Sequence, residues 1–315
     1  MWWSGLQCVF VRVNAREPVQ RRPAPTGFDL DAEGSDRYVS HMTVKSSESL
    51  HDSNSTHSPD ADATPRLPSI DNFRDAAGSG LGYEVPGGRI RRGVLYRSNR
   101  LEPSPADLAI LESLGLTAIH DLRNENEVEK YPDSPVDGAA WHHHPVKGLP
   151  SETVERLSDA AQMYDAMIEN YQRYVEDPGC RNAFGSFLRT LADTDGPQLV
   201  HCAAGKDRTG WAVILVQHIA GLDQDRMIDD YFLTDEYATT SQKATLDSIL
   251  EDHGQGYADA YRPAFVCDTD YLEAAFGAVE IVYGSMDDYL TDGLGISATQ
   301  RGAIRARLVE PSATR

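Results

Sequence analysis

Apolar residues in this chain alternate between two kinds of spacing. Residues 116–122 form a short apolar run, and residues 197–200 form another. Short runs of this kind, bounded by turn residues, predict buried strands. Elsewhere the apolar positions recur every three or four residues. Leu157, Ala161, Tyr164, Ile168 and Tyr171, then Phe184, Phe187 and Leu188, predict helix within 152–192. Ser104-Pro105-Ala106-Asp107 combines an N-cap, a first-turn proline and a capping-box acid, predicting a helix that ends at Gly115. Ser297 and Gln300 open a last helix in the same way, and Trp211 to Val216 reads as the start of a buried one. Strand–helix alternation predicts an α/β fold, a mostly parallel central sheet flanked by helices.

The pattern is absent near the start. Residues 46–65 are nearly free of large apolar side chains and rich in Ser, Asp, Thr and Pro, the composition of segments that cannot bury a core. Residues 1–66 are therefore expected as a disordered tail, and 67–312 as one folded domain. The apolar patch within residues 1–13 is too short to span a membrane and lacks a basic region ahead of it, so it is a poor secretion signal. Gln7 before Cys8 argues against a lipidation site. Met42 is an alternative start, which the mass of the native protein would test.

Charge changes the picture by exclusion. The 315 residues carry 29 basic and 49 acidic side chains, a formal net charge of −20, which argues against nucleic-acid binding. It also argues against long-range attraction of anions, so any anion site must rest on local groups. Four scattered cysteines (Cys8, Cys180, Cys202, Cys267) do not make a disulfide framework, and a reducing cytoplasm is the expected location.

The chemistry concentrates in His201-Cys202-Ala203-Ala204-Gly205-Lys206-Asp207-Arg208-Thr209-Gly210. A loop between a strand and a helix points backbone N–H groups inward, and the helix N-terminus adds positive potential. This is a cradle for a phosphate-sized dianion, formed by Ala203, Ala204, Gly205, Lys206, Arg208 and Thr209 around the thiol of Cys202. Thiolates, not thiols, are nucleophiles, and helix N-termini and nearby cations favour the thiolate. Cys202 is thus a nucleophile that would form a phosphocysteine. Arg208 suits a forked clamp on two phosphoryl oxygens. Gly205 permits close backbone approach, Thr209 can donate to the departing sulfur, and His201 can fix the loop through its ring nitrogens. A nucleotide-binding P-loop is excluded because Asp207 follows Lys206 where Ser or Thr is required. Two other classes stay open: a phospholigand-binding module without turnover, and a rhodanese-like sulfurtransferase.

This loop resembles that of bacterial tyrosine phosphatases of the HCxxGKDRTG type, a family similar to dual-specificity and phosphoinositide phosphatases. Asn72-Phe73-Arg74-Asp75, Gly93 to Ser98, Asp121-Leu122-Arg123 with Glu127, Tyr283-Gly284-Ser285, Tyr289-Leu290 and Leu294-Gly295 extend the resemblance over about residues 67–310. The resemblance implies a cysteine-phosphatase fold and a phosphorylated protein or phosphoinositide as substrate. It also implies a possible role for Lys206 beside additional phosphates, and a helical lid over 227–250. The general acid is open between two carboxylates. The resemblance implies Asp207, and Asp121 ends a strand at a sheet edge where sites commonly form. Asp133, after Pro132, reads as a turn residue. His142, His143 and His144 alternate faces along a strand and have no further ligand at metal-binding spacing, so they read as strand and loop residues. The cysteine mechanism requires no metal and no cofactor.

Overall fold

A computed structural model describes residues 64–149, 157 and 159–312. The expected tail lies almost wholly outside the described residues. The central sheet has five strands: β1 (Arg74–Asp75), β4 (Leu95–Ser98), β5 (Ala118–Asp121), β6 (Ala140–His143) and β7 (Gln198–His201). Their spatial order is β1-β4-β7-β5-β6, antiparallel only between β1 and β4. The expected α/β architecture with a mostly parallel sheet is the one observed. A small antiparallel sheet joins β2 (Glu84–Val85), β3 (Gly88–Ile90) and β8 (Val309–Pro311).

Side chains alternate across the central sheet as the pleat requires. Tyr96, Ile119 and Leu199 face one apolar cluster with Leu101 and Leu111, whereas Leu95 and Val200 face the larger cluster around Phe184, Phe187 and Trp211. The first cluster lies under α1 (Pro105–Ser113). The second lies under α4 (Pro178–Asp193) and α5 (Asp207–Ala220). Register places Ser98 and Asp121 on either side of His201, so three parallel strands end together where the Cys202 loop leaves the sheet.

Several expected elements change at their ends. The 116–122 run is strand only over β5, since Thr117 and Leu122 hydrogen-bond outside the ladder, to Pro197 and His201 carbonyls. The helical pattern of 152–192 is two helices, α3 (Ala160–Glu176) and α4, because Pro178 lacks the N–H needed to continue one. Asp177 closes the first and caps the second. Ser104 caps α1 as expected, but Asp107 turns away and accepts the Ser69 N–H instead of closing a capping box. The 227–250 stretch is not one helix. It comprises α6 (Gln224–Phe232), α7 (Thr234–Tyr237) and α8 (Thr239–His253), followed by α9 (Gln255–Tyr261). Beyond them come α10 (Thr269–Tyr283), the short α11 (Met286–Asp288), and α12 (Ala298–Leu308), whose Ser297–Gln300 capping box is complete. No helix among the described residues is long and apolar enough to cross a membrane.

Candidate active site

The Cys202 loop joins the end of β7 to the start of α5. Helix ends leave N–H groups that a side chain normally caps. Side chains of Ser104, Asn124, Asp159, Asp177, Asp223, Asp268, Ser285 and Ser297 do this at eight other helices, whereas α7, α8 and α9 have no such cap. At α5 the N-cap is Lys206 and no side chain caps the helix. Its first N–H groups are therefore left without a side-chain acceptor.

The loop is braced from beneath. Gly205 has φ +68°, and a Cβ there would lie 2.5 Å from the Ser98 carbonyl oxygen, so only glycine fits. Its carbonyl accepts from Arg97 Nη2 at 2.9 Å and Asn72 Nδ2 at 2.8 Å. The Ala203 carbonyl accepts the Arg100 N–H at 3.2 Å. Arg97 is in turn paired with buried Asp230 at 3.1 Å. Asn72 itself holds φ +60°.

Cys202 is 2% exposed and lies within electrostatic reach of Arg208. Glu127, the third residue of α2 (Glu125–Lys130), grips that guanidinium with both oxygens, at 2.6 and 2.8 Å. The same carboxylate completes a capping box with Asn124, which fixes it in place. Burial disfavours the Glu127 charge, but Arg208 overrides it and holds the carboxyl below its usual range. Thr209 Oγ1 is buried with no hydrogen-bond partner among the described residues.

Asp207 opens α5. Its Oδ1 accepts from the Tyr171 hydroxyl and lies 2.8 Å from Lys206 Nζ. The Lys206 ammonium also donates to the Val266 carbonyl at 2.9 Å and sits 5.6 Å from the Tyr271 ring centre. It is 2% exposed, so this cation is bound inward rather than standing free at the rim.

Asp121 is placed very differently. It is fully buried, and both oxygens are gripped by Arg123, with Nη2 2.6 Å from Oδ2. Arg123 Nη2 also pairs with Asp133 at 2.8 Å, and Asp133 lies 3.1 Å from His201 Nε2. The other His201 nitrogen lies 3.3 Å from the Cys202 carbonyl. Asp133 is thus a pillar under the loop rather than a turn residue, and it also accepts the distant Leu101 N–H at 3.0 Å. Burial works against its charge, and His201 and Arg123 together hold its carboxyl below the usual range. Asp121, Asp133 and His201 could converge on a cation, but the Arg123 guanidinium already balances both carboxylates. The histidines divide by face as expected: His142 and His144 stack with His120, and His143 stacks with Trp141.

Glu127 and Tyr171 had no chemical role in the sequence, and Asp133 only that of a turn residue. The Asn124–Glu127 capping-box spacing was the legible signal for the first. Tyr171 was visible only as an apolar helical position.

A buried thiol and a clamped arginine thus lie together at a helix N-terminus that no side chain caps. Comparison with known proteins gives the family. Residues 65–310 match the tyrosine phosphatase family, and the chain belongs to that family. It is 34% identical over 241 residues to a protein of Cupriavidus necator named as a tyrosine-protein phosphatase, covering 73% of this chain and 84% of that one. The triple specificity protein phosphatase PtpB of Mycobacterium tuberculosis is 29% identical over 289 residues, covering 78% and 99%. A tyrosine-protein phosphatase of Nostoc commune is 27% identical over 210 residues, covering 64% and 69%.

Proposed function

We propose that this protein hydrolyses phosphate monoesters, phosphotyrosine on proteins foremost, through a phosphocysteine on Cys202. The observation that carries this is Cys202 at the uncapped N-terminus of α5, with Arg208 clamped beside it by Glu127. Residues 67–312 form the catalytic domain in this reading. Phosphoinositides and phosphoserine or phosphothreonine are further substrates, a range supported by the triple specificity of the M. tuberculosis relative.

The substrate phosphoryl oxygens bind the Arg208 guanidinium and the N–H groups of 203–209. Cys202 Sγ attacks phosphorus and the bond to the ester oxygen breaks. The departing oxygen takes a proton from Asp207, which is the general acid because its side chain is partly exposed and Asp121 is sealed beneath the loop. Water then attacks the phosphocysteine and gives its proton to the Asp207 carboxylate. The sulfur–phosphorus bond breaks, phosphate is released, and Thr209 donates a hydrogen bond to the returning thiolate. His201 and Glu127 position the loop and the arginine. Of the 227–250 stretch, α6 packs into the main core through Met227 and Tyr231, so the lid is α8 with the following α9, which join Met163 in a small apolar cluster separate from that core. A cytoplasmic location is supported by free thiols at Cys180, Cys202 and Cys267.

The test is phosphate release from a phosphotyrosine peptide and from a phosphoinositide series, with Asp207→Asn and Asp121→Asn alongside. Turnover of the peptide, strongly slowed in Asp207→Asn, is expected. Binding of phosphorylated ligand without turnover would instead favour the binding module, and sulfur transfer from thiosulfate would favour the sulfurtransferase.

A further inference from the structure

Asp207 can deliver a proton only if that proton sits on the oxygen facing the ester. A carboxylic acid has two equivalent oxygens in water, and here they are made unequal. Oδ1 accepts from Tyr171 at 2.8 Å and lies 2.8 Å from the Lys206 ammonium. Tyr171 belongs to α3, remote in sequence from the loop, and is fully buried. The rings of Tyr174, Tyr231 and Tyr271 surround it at centroid distances of 5.2, 6.5 and 5.7 Å, which locks its position. Its single hydroxyl proton is committed to Asp207, so Tyr231, whose oxygen is 2.9 Å away, is the donor in their bond. A chain of donors therefore runs Tyr231 to Tyr171 to Asp207 Oδ1. Burial, followed by the nearby Asp207 charge, raises the Tyr171 phenol well above its usual range and keeps it a donor.

We propose that Tyr171 is a positioning residue for the leaving-group proton: it occupies Asp207 Oδ1 as acceptor, so that the transferable proton resides on Oδ2. This rests on the assignment of Asp207 as the general acid. In the first step the proton passes from Oδ2 to the departing ester oxygen as its bond to phosphorus breaks. In the second, water returns a proton to Oδ2 as its oxygen attacks phosphorus. Tyr171 keeps its proton throughout.

The test compares kcat and KM across aryl phosphates whose leaving phenols become progressively more basic, from dinitrophenyl phosphate to a phosphotyrosine peptide. Acid catalysis matters most for basic leaving groups. The ratio of rates between two substrates within one variant does not depend on the fraction of protein folded. In Asp207→Asn the phosphotyrosine rate is expected to fall on the order of 100-fold or more, with little loss on dinitrophenyl phosphate. Tyr171→Phe is expected to show the same gradient, with kcat on phosphotyrosine down on the order of tenfold and KM little changed. Tyr174→Phe is the control. It removes a hydroxyl of similar burial whose hydrogen bond is to Asn170, not Asp207, and should show no gradient. A flat Tyr171→Phe profile beside a graded Asp207→Asn profile overturns the positioning role alone. An equal gradient in Tyr174→Phe also overturns it. A flat Asp207→Asn profile overturns the acid assignment and the positioning role together.

Discussion

The Cys202 loop and the helices over 239–261 are held by different forces. Beneath the loop, three buried guanidinium groups are each matched to carboxylates: Arg97 to Asp230, Arg123 to Asp121 and Asp133, and Arg208 to Glu127. Such pairs contribute little net stability, yet breaking one leaves an unmatched buried charge, so the geometry is strongly fixed. Helices α8 and α9 instead contribute Ile249, Ala258, Ala260 and Tyr261 to a small cluster with Met163. Their ion pairs, Lys243–Asp247 and Arg262–Asp259, lie at the surface, where they contribute little. In the proposed function the loop is a cradle preorganised by charge, and α8 and α9 are a flap attached by a modest apolar contact. The proposed function, which holds a dianion rigidly and still admits a protein, calls for this division.

The contrast can be broken most sharply at Asp230. Asp230→Ala leaves Arg97 without its carboxylate and removes the acceptor of the Tyr83 hydroxyl. The expected loss is about 3–5 kcal/mol in denaturant unfolding. A loss below about 1 kcal/mol would mean the charge lattice does not fix the floor. Next is Gly205→Ala, which combines positive φ with a carbonyl clash. Displacing the loop by on the order of 1 Å should lower kcat/KM about 100-fold, with a smaller change in stability.

Acid exposes a further part of the rigid half. Burial, followed by neighbouring histidines, lowers His144 to about 3, and burial also lowers His120 to about 4. Both are neutral in the fold, so their contribution is fully present above about pH 6.5 and is lost as pH falls towards those values. The decline amounts to about 3 kcal/mol per ring or less. Urea midpoints measured between pH 7 and pH 4 should fall steadily, and His120→Gln should flatten the curve. The smallest effect belongs to the flap. Ile249→Ala should speed amide exchange across 239–261 by about 2 kcal/mol of local opening while the main melting transition barely moves. A matching fall in global stability would show that flap and cradle unfold as one unit.

How much of this was legible in the sequence divides along the same line. Local chemistry was readable: the Ser297–Gln300 and Ser104 caps, the β7 strand and the α5 start all depend on adjacent residues. Cys202 and Arg208 stand out because their spacing is itself the motif. The pairing of Asp121 with Arg123, two residues on, was within reach of the chain, but Asp133 could not be placed, since its role is set by His201 and Arg123, which only the fold brings beside it. Tyr171 shows a related limit. Its helical periodicity places it in the core, but periodicity cannot show that its hydroxyl meets Asp207 from another helix. The break of 227–250 into several helices was likewise invisible, because no proline or strong cap marks it.

The covalent role of Cys202 is tested most directly by turnover of a phosphotyrosine peptide by Cys202→Ser, with binding of the same peptide measured in parallel. Phosphate release is expected to fall to background while binding is retained. Release at a substantial fraction of the wild-type rate would contradict the covalent role.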